Sequence, residues 1–246
     1  MKALIVQFRA EDRSKELEQR AIARSLQATH IELVFRDALR GEVSWSEPAQ
    51  QLVGIDAVIL AGSGELYFDG GYAEEHEGRI ITSNIAREAK PFAEHLLEHD
   101  VPTLGICFGH QLLGYAAGVD VGHSVVESKT GTQPVELTDE GLIDPLFKDM
   151  PRTFPAQYAH KDVLFDLPTG ATVLARNGDK CRFSALRYGP KMYSVQFHPE
   201  RRREDCVEST SWYPEYLPAG VKPADIFFDT HESEKVMTNF IDLIAR

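Results

Sequence analysis

Cys107 stands between two glycines in Leu104-Gly105-Ile106-Cys107-Phe108-Gly109-His110-Gln111, where the apolar run 101–106 passes into the helical pattern Gln111-Leu112-Leu113-Gly114-Tyr115-Ala116-Ala117. Gly-x-Cys-x-Gly between a strand and a helix is the pattern of a nucleophile elbow with sulfur in place of oxygen. Such a turn holds its central residue in a strained backbone conformation. The side chain then stands clear, and the neighbours must be small for strand and helix to pack. A cysteine so placed lies at a helix N-terminus, where the partial positive charge of unpaired N–H groups favours thiolate over thiol. Far downstream, 192–197 reads as a buried strand, His198 follows it, and Pro199 ends the ladder. Glu200 can turn back to the same side, accept the imidazole N–H, fix the tautomer and stabilise the imidazolium. Cys107, His198 and Glu200 are therefore the candidate catalytic set, as nucleophile, base and orienting carboxylate.

Together, Gly-Ile-Cys-Phe-Gly-His-Gln and Gln-Phe-His-Pro-Glu resemble the class I, triad-type glutamine amidotransferase family, especially its stand-alone members similar to the amidotransferase part of GMP synthase. The resemblance runs from the strand before Gly62 to Glu200. It implies hydrolysis of the glutamine side-chain amide to glutamate and ammonia through a γ-glutamyl thioester on Cys107, with no cofactor and no metal. It also implies an oxyanion hole made by the backbone N–H of Phe108 together with that of Ser63, with Gly62 as the alternative to Ser63. Here Ala61-Gly62-Ser63-Gly64 replaces the family's Ser-Gly-Gly-Pro, which predicts a looser loop that a substrate or partner would order. Gln111 matches the residue that contacts bound glutamine. Ala159, His160 and Lys161 match the loop whose backbone groups hold the α-amino and α-carboxylate ends. The same machinery would serve a γ-glutamyl peptidase or hydrolase acting on γ-glutamyl amines or peptides. A reading of another class is a non-catalytic glutamine-binding or regulatory subunit. No synthase segment follows the triad, so an amidotransferase of this kind is expected to need a separate ammonia-accepting synthase subunit.

The elements that must position these residues follow from hydrophobic patterning. Residues 3–8, 31–35 and 56–60 are apolar runs suited to strands buried on both faces, and 11–28 carries apolar residues at helical spacing between the first two. The third run ends in a glycine turn. This order predicts an α/β fold with a doubly wound, mostly parallel sheet (flavodoxin-like), whose sites form beyond the C-terminal strand ends. A small antiparallel sheet near the site is expected from 171–175, 181–186 and 191–197, separated by turns. Short strands are expected at 121–126 and 133–137. A helical face spans 85–97, kinked or restarted at Pro91, and the last helix carries the stripe Val236, Met237, Phe240, Ile241 and Ile244, capped by Asp229 or Thr230. His95-Leu96-Leu97-Glu98-His99 matches the H-x-x-E-H zinc spacing, but reads as polar residues flanking the core pair of an amphipathic helix.

No composition break divides the 246 residues, so a single domain over 1–246 is expected, with insertions at 65–78 and 201–228. The first reads as an exposed segment, a lid or a surface loop. The second, carrying Trp212, Tyr213 and Tyr216, reads as a lid, a docking surface or a packed loop. Lys+Arg 26 against Asp+Glu 38, net charge −12, disfavours nucleic acid and anionic membranes as partners. The one basic run, Arg201-Arg202-Arg203, precedes Glu204-Asp205 and reads as a solvated face. Three cysteines make no disulfide framework, Cys181 and Cys206 lack an elbow and read as inert, and neither a signal-peptide pattern nor a membrane-length apolar run is present, so a cytoplasmic protein is expected.

Overall fold

A computed structural model describes residues 1–217 and 219–245; Pro218, within the 201–228 segment, and Arg246 lie outside it. Its strands are β1 (Lys2–Gln7), β2 (Glu32–Asp37), β3 (Ala57–Leu60), β4 (Thr103–Ile106), β5 (Val121–His123), β6 (Lys129–Leu137), β7 (Thr153–His160), β8 (Asp162–Leu164), β9 (Thr172–Arg176), β10 (Ala185–Gly189) and β11 (Met192–Val195). The helices are α1 (Asp12–Leu26), α2 (Pro48–Gln51), α3 (Glu77–Glu98), α4 (Phe108–Ala116), α5 (Asp139–Ile143), α6 (Arg203–Trp212), α7 (Pro223–Ile226) and α8 (Lys235–Ile244). One nine-stranded sheet runs β2-β1-β3-β4-β11-β10-β9-β6-β7. Its first five strands are parallel and the remaining pairings antiparallel. The antiparallel strands thus continue the main sheet, and the separate small sheet is β5 with β8.

Alternation along the parallel strands explains their unbroken apolar runs. In β1 and β3, Ala3, Ile5, Ala57 and Ile59 enter a core with Ile22 and Leu26 of α1 and Val236, Met237, Phe240 and Ile241 of α8. Leu4, Val6, Val58 and Leu60 point the other way, onto Ile85, Ala89, Phe92 and Leu96 of α3 and Leu112 and Leu113 of α4. Helices on both faces leave no solvated side for a polar residue, which is the doubly wound arrangement. Beyond it, β1, β3, β4 and β11 are neighbours, so Arg9, Gly62 and Ser63, Cys107, and His198 with Glu200 all emerge at the C-terminal end of one block of parallel strands.

Several local expectations are corrected. α3 passes through Pro91 as one helix, so of the two expectations the restart is excluded; the proline faces solvent, where the carbonyl it leaves unpaired can bond water. β10 begins at Ala185 rather than 181, and β11 is antiparallel only to β10, running parallel to β4. β5 stops at His123, leaving Val125 and Val126 exposed. The cap of α8 is Glu234. No helix among the described residues is long and apolar enough to cross a membrane.

Candidate active site

β4 delivers Cys107 directly. Its N–H donates to the Val195 carbonyl (2.8 Å), continuing the β4–β11 ladder, while its carbonyl accepts from Gln111 N–H (3.1 Å) and starts α4. Serving both elements forces φ +53°, ψ −99°, outside the regions open to most non-glycine residues and costing roughly 1–3 kcal/mol. The turn also needs Gly109. A Cβ there would stand 2.0 Å from the Leu60 carbonyl oxygen, because α4 starts flush against β3. Cys107 is buried and donates only weakly to the Ala159 carbonyl, Sγ···O 3.9 Å.

His198 follows β11 and is tied across to β7, its N–H donating to the Gln157 carbonyl (2.8 Å). Its ring Nδ1 bonds Glu200 Oε1 at 2.8 Å, with both residues buried. Burial pulls the imidazole pKa down, but the Glu200 charge and the adjacent Cys107 outweigh it and raise the pKa to about 9. Burial likewise disfavours the Glu200 carboxylate, yet His198 and then Arg201 hold its pKa below the ordinary range. Gly62 keeps the centre open. A Cβ on it would lie 2.9 Å from His198 Cε1 and 3.7 Å from the Cys107 Cβ.

One recess joins Cys107, Phe108, Ser63, Gln111, Ala159, His160 and Lys161, so the structure brings all the sequence-derived binding candidates to Cys107. Their orientations differ from a simple contact set. The Gln111 amide is spent on the Asp162 carbonyl (2.7 Å) and Gln196 Oε1 (3.4 Å). His160 bonds the Glu127 carbonyl through Nε2 (2.9 Å), and burial lowers its pKa to about 3, leaving a neutral ring. The N–H groups of Ser63 and Phe108 donate to no other group among the described residues. The loop around Ser63 is pinned rather than loose: Ser63 Oγ accepts from Leu66 N–H (3.0 Å), and the hydroxyls of Tyr67 and Tyr216 donate to the Gly64 carbonyl (3.2 and 3.1 Å).

Residues 43–205 match the family model Glutamine amidotransferase class-I. The chain belongs to that family. It is 40% identical over 129 residues to one of the subunits of a glutamine-hydrolysing GMP synthase from Methanocaldococcus jannaschii, covering 52% of this chain and 66% of that protein. To the GMP synthase subunit of the same name from Pyrococcus furiosus it is 33% identical over 153 residues, 60% of this chain and 78% of the relative. The crystal structure of a glutamine amidotransferase from Thermotoga maritima shares the fold with a TM-score of 0.73 at 21% identity, covering 100% of this chain and 96% of the other.

In this class I amidotransferase chain, the surroundings of several site residues escape sequence reading. Lys161 lies over the rings of Tyr72 (4.3 Å), Tyr216 (5.3 Å) and Tyr67 (5.5 Å) and donates to the Tyr72 hydroxyl. Tyr67 and Tyr72 come from 65–78 and Tyr216 from 201–228, so both expected insertions meet over the recess. Leu66, Tyr67 and Gly70 are buried, correcting the picture of a wholly exposed segment. Asp162 accepts from the N–H of Gly70 (2.6 Å) and anchors it. The run 201–203 is likewise no solvated face: Arg201 is buried beside Glu200, Arg202 pairs with Glu234 (2.7 Å), and Arg203 donates to the Phe227 carbonyl (2.8 Å). The turn after Pro199 points Arg201 inward, where Glu200 supplies the opposite charge. His95 of α3 and His99, which caps its C-terminal end, stack at 4.1 Å, and no group of three or more side chains placed to hold a metal occurs among the described residues. Cys181, pushed up to about 11 by burial, and Cys206, raised further by burial, are held as thiols.

Proposed function

We propose that this chain hydrolyses the side-chain amide of glutamine to glutamate and ammonia, with Cys107 as nucleophile, His198 as proton carrier and Glu200 as its orienting anion. What carries this reading is the strained Cys107 elbow at the start of α4 beside a buried His198–Glu200 pair. The Cys107 thiolate attacks the amide carbon, and the carbonyl oxygen gathers negative charge opposite the N–H groups of Ser63 and Phe108. His198, protonated at neutral pH by virtue of its raised pKa, gives its proton to the departing nitrogen. It then takes one from the water that opens the thioester. Gln111 acts by holding the Asp162 backbone in place, while Ala159, His160 and Lys161 form the wall that receives the amino-acid end of glutamine. The relatives are named as subunits of GMP synthases, and by that analogy the ammonia passes to a separate synthase subunit.

The test is release of ammonia and glutamate from L-glutamine, with rapid-quench mass analysis for a γ-glutamyl adduct on Cys107. Replacing one member of a cooperating catalytic set should lower kcat by roughly 10⁴-fold or more, so Cys107→Ser is expected to be silent. Hydrolysis that persists in Cys107→Ala would sink the scheme.

A further inference from the structure

Beside the recess that holds Cys107 lies a second one. Ser63, Ala159 and Tyr216 line both, but Cys107 lines only the first and His198 only the second. Two guanidinium groups, Arg9 and Arg201, also line the second recess, and they are only 2% and 4% exposed. Arg9 spends Nε on Glu18 (2.9 Å), while its Nη2 is buried and has no partner among the described residues. Arg201 donates through Nη1 to Ser209 Oγ (2.9 Å); its Nε lies 3.4 Å from Glu200 Oε1 and also makes no hydrogen bond there. A buried charged donor left unpaired is costly and asks for an acceptor.

The position of Arg9 says which acceptor. A Cβ on Gly62 would stand 2.9 Å from Arg9 Nη2 and 2.9 Å from His198 Cε1, so guanidinium and imidazole face each other across the gap that Gly62 leaves open. Of the nearby carboxylates, Glu18 bonds Arg9 and Gln7, and Glu200 bonds His198 through Oε1; Glu200 Oε2 is buried without a partner among the described residues and makes no hydrogen bond to either guanidinium. Glu65 favours the charged form of Arg9 and accepts from Tyr213 through Oε1, but its Oε2 makes no hydrogen bond to Arg9 and the residue does not line the recess. In the proposed reaction, His198 protonates the departing nitrogen. Whatever that nitrogen carries must then lie on the His198 side of the reacting carbon, within reach of Arg9. Ammonia carries nothing that needs such a site.

We propose that the second recess is a leaving-group subsite in which Arg9, aided by Arg201, receives a carboxylate borne by the departing amine, so that the chain also cleaves γ-glutamyl amino acids. This rests on the proposed roles of Cys107 and His198. The carbonyl carbon forms a bond to sulfur, the C–N bond breaks, and the nitrogen takes the His198 proton and leaves as a free amino acid. Water then adds to the thioester, giving a proton back to His198 and releasing glutamate; one water is consumed per bond cleaved.

The test compares γ-glutamylglycine with γ-glutamylpropylamide, which has a similar length and no charge. Wild-type kcat/KM should favour the charged substrate at least tenfold, and Cys107→Ala should bind it more tightly in calorimetry. In Arg9→Met with Glu18→Gln, which removes together with the guanidinium the carboxylate it bonds, the preference should shrink to near unity. Equal use of the two amides by the wild type overturns the subsite, while Cys107-dependent glutamine hydrolysis in the same preparation keeps the nucleophile reading. Tighter binding of γ-glutamylglycine to Cys107→Ala, with no turnover of any amide by the wild type, does the reverse. Should the double variant not fold, the wild-type ratio and the Cys107→Ala affinities decide.

Discussion

The strand-end side of the site and the side formed by 65–78 and 201–228 close on the same recess by different means. On the first, Cys107 and His198 are bonded through their backbone N–H groups to Val195 and Gln157, inside or beside the nine-stranded sheet. Moving either means breaking a ladder buried between two cores. On the second, position comes from side chains: three tyrosine rings around Lys161, the Tyr216 hydroxyl on the Gly64 carbonyl, and Asp162 on the Gly70 N–H. Each such contact is worth about 1 kcal/mol. The sheet can therefore hold the strain at Cys107, while the aromatic cover can part to admit a substrate.

The largest predicted effect breaks the rigid side electrostatically. Glu200→Gln keeps the shape but removes the charge behind His198, and by analogy with other triads kcat should fall by roughly 10⁴-fold. The pH behaviour carries the sign. His198 is raised from 6.5 to about 9, so its contribution to stability is fully present below pH 6.5 and is lost as pH rises through 9. Glu200 is lowered, so its contribution is present above its ordinary value of 4.5 and is lost as acid protonates it. The wild-type pH–rate profile should show an alkaline limb near 9. In Glu200→Gln that limb should move to lower pH, and an unmoved limb would mean that another group titrates there.

A smaller effect tests geometry on the same side. Gly62→Ala places a methyl 2.9 Å from both His198 Cε1 and Arg9 Nη2. The ring is fixed by Glu200, so it must shift or tilt, and displacement by an ångström costs roughly 10²-fold in rate. The expected result is that loss in kcat with little change in Tm, since the backbone at Gly62 needs no left-handed conformation. A large fall in Tm would show that the gap serves packing instead.

The same contrast separates what is legible in the sequence from what is hidden there. Cys107, Phe108, Ser63, His198 and Glu200 are readable because each lies at a strand end marked by glycine or proline, where local pattern fixes position. The sheet is readable because both of its faces are buried, so its runs are apolar without interruption. The Lys161 cage is not readable: its rings come from segments about 150 residues apart, brought together only by the completed fold. Arg201 misleads because its neighbours Glu204 and Asp205 suggest a surface, whereas its partner is Glu200. Arg9 leaves one usable sign, a cation directly after a buried parallel strand, where sites of open α/β sheets form.

The smallest effect belongs to the cover. Tyr216→Phe removes the hydroxyl that holds Pro214–Tyr216 to the Gly64 carbonyl beside Ser63. Losing one such bond costs about 1 kcal/mol, which corresponds to about a fivefold rise in KM for glutamine. Because Cys107 and His198 are held from the opposite side, the loss should appear mainly in KM, and limited proteolysis within 201–228 should quicken by a similar factor. If kcat instead falls as far as in Gly62→Ala, with KM unmoved, the hydroxyl is setting the carbonyl-binding loop itself, and the two sides of the site act as one unit.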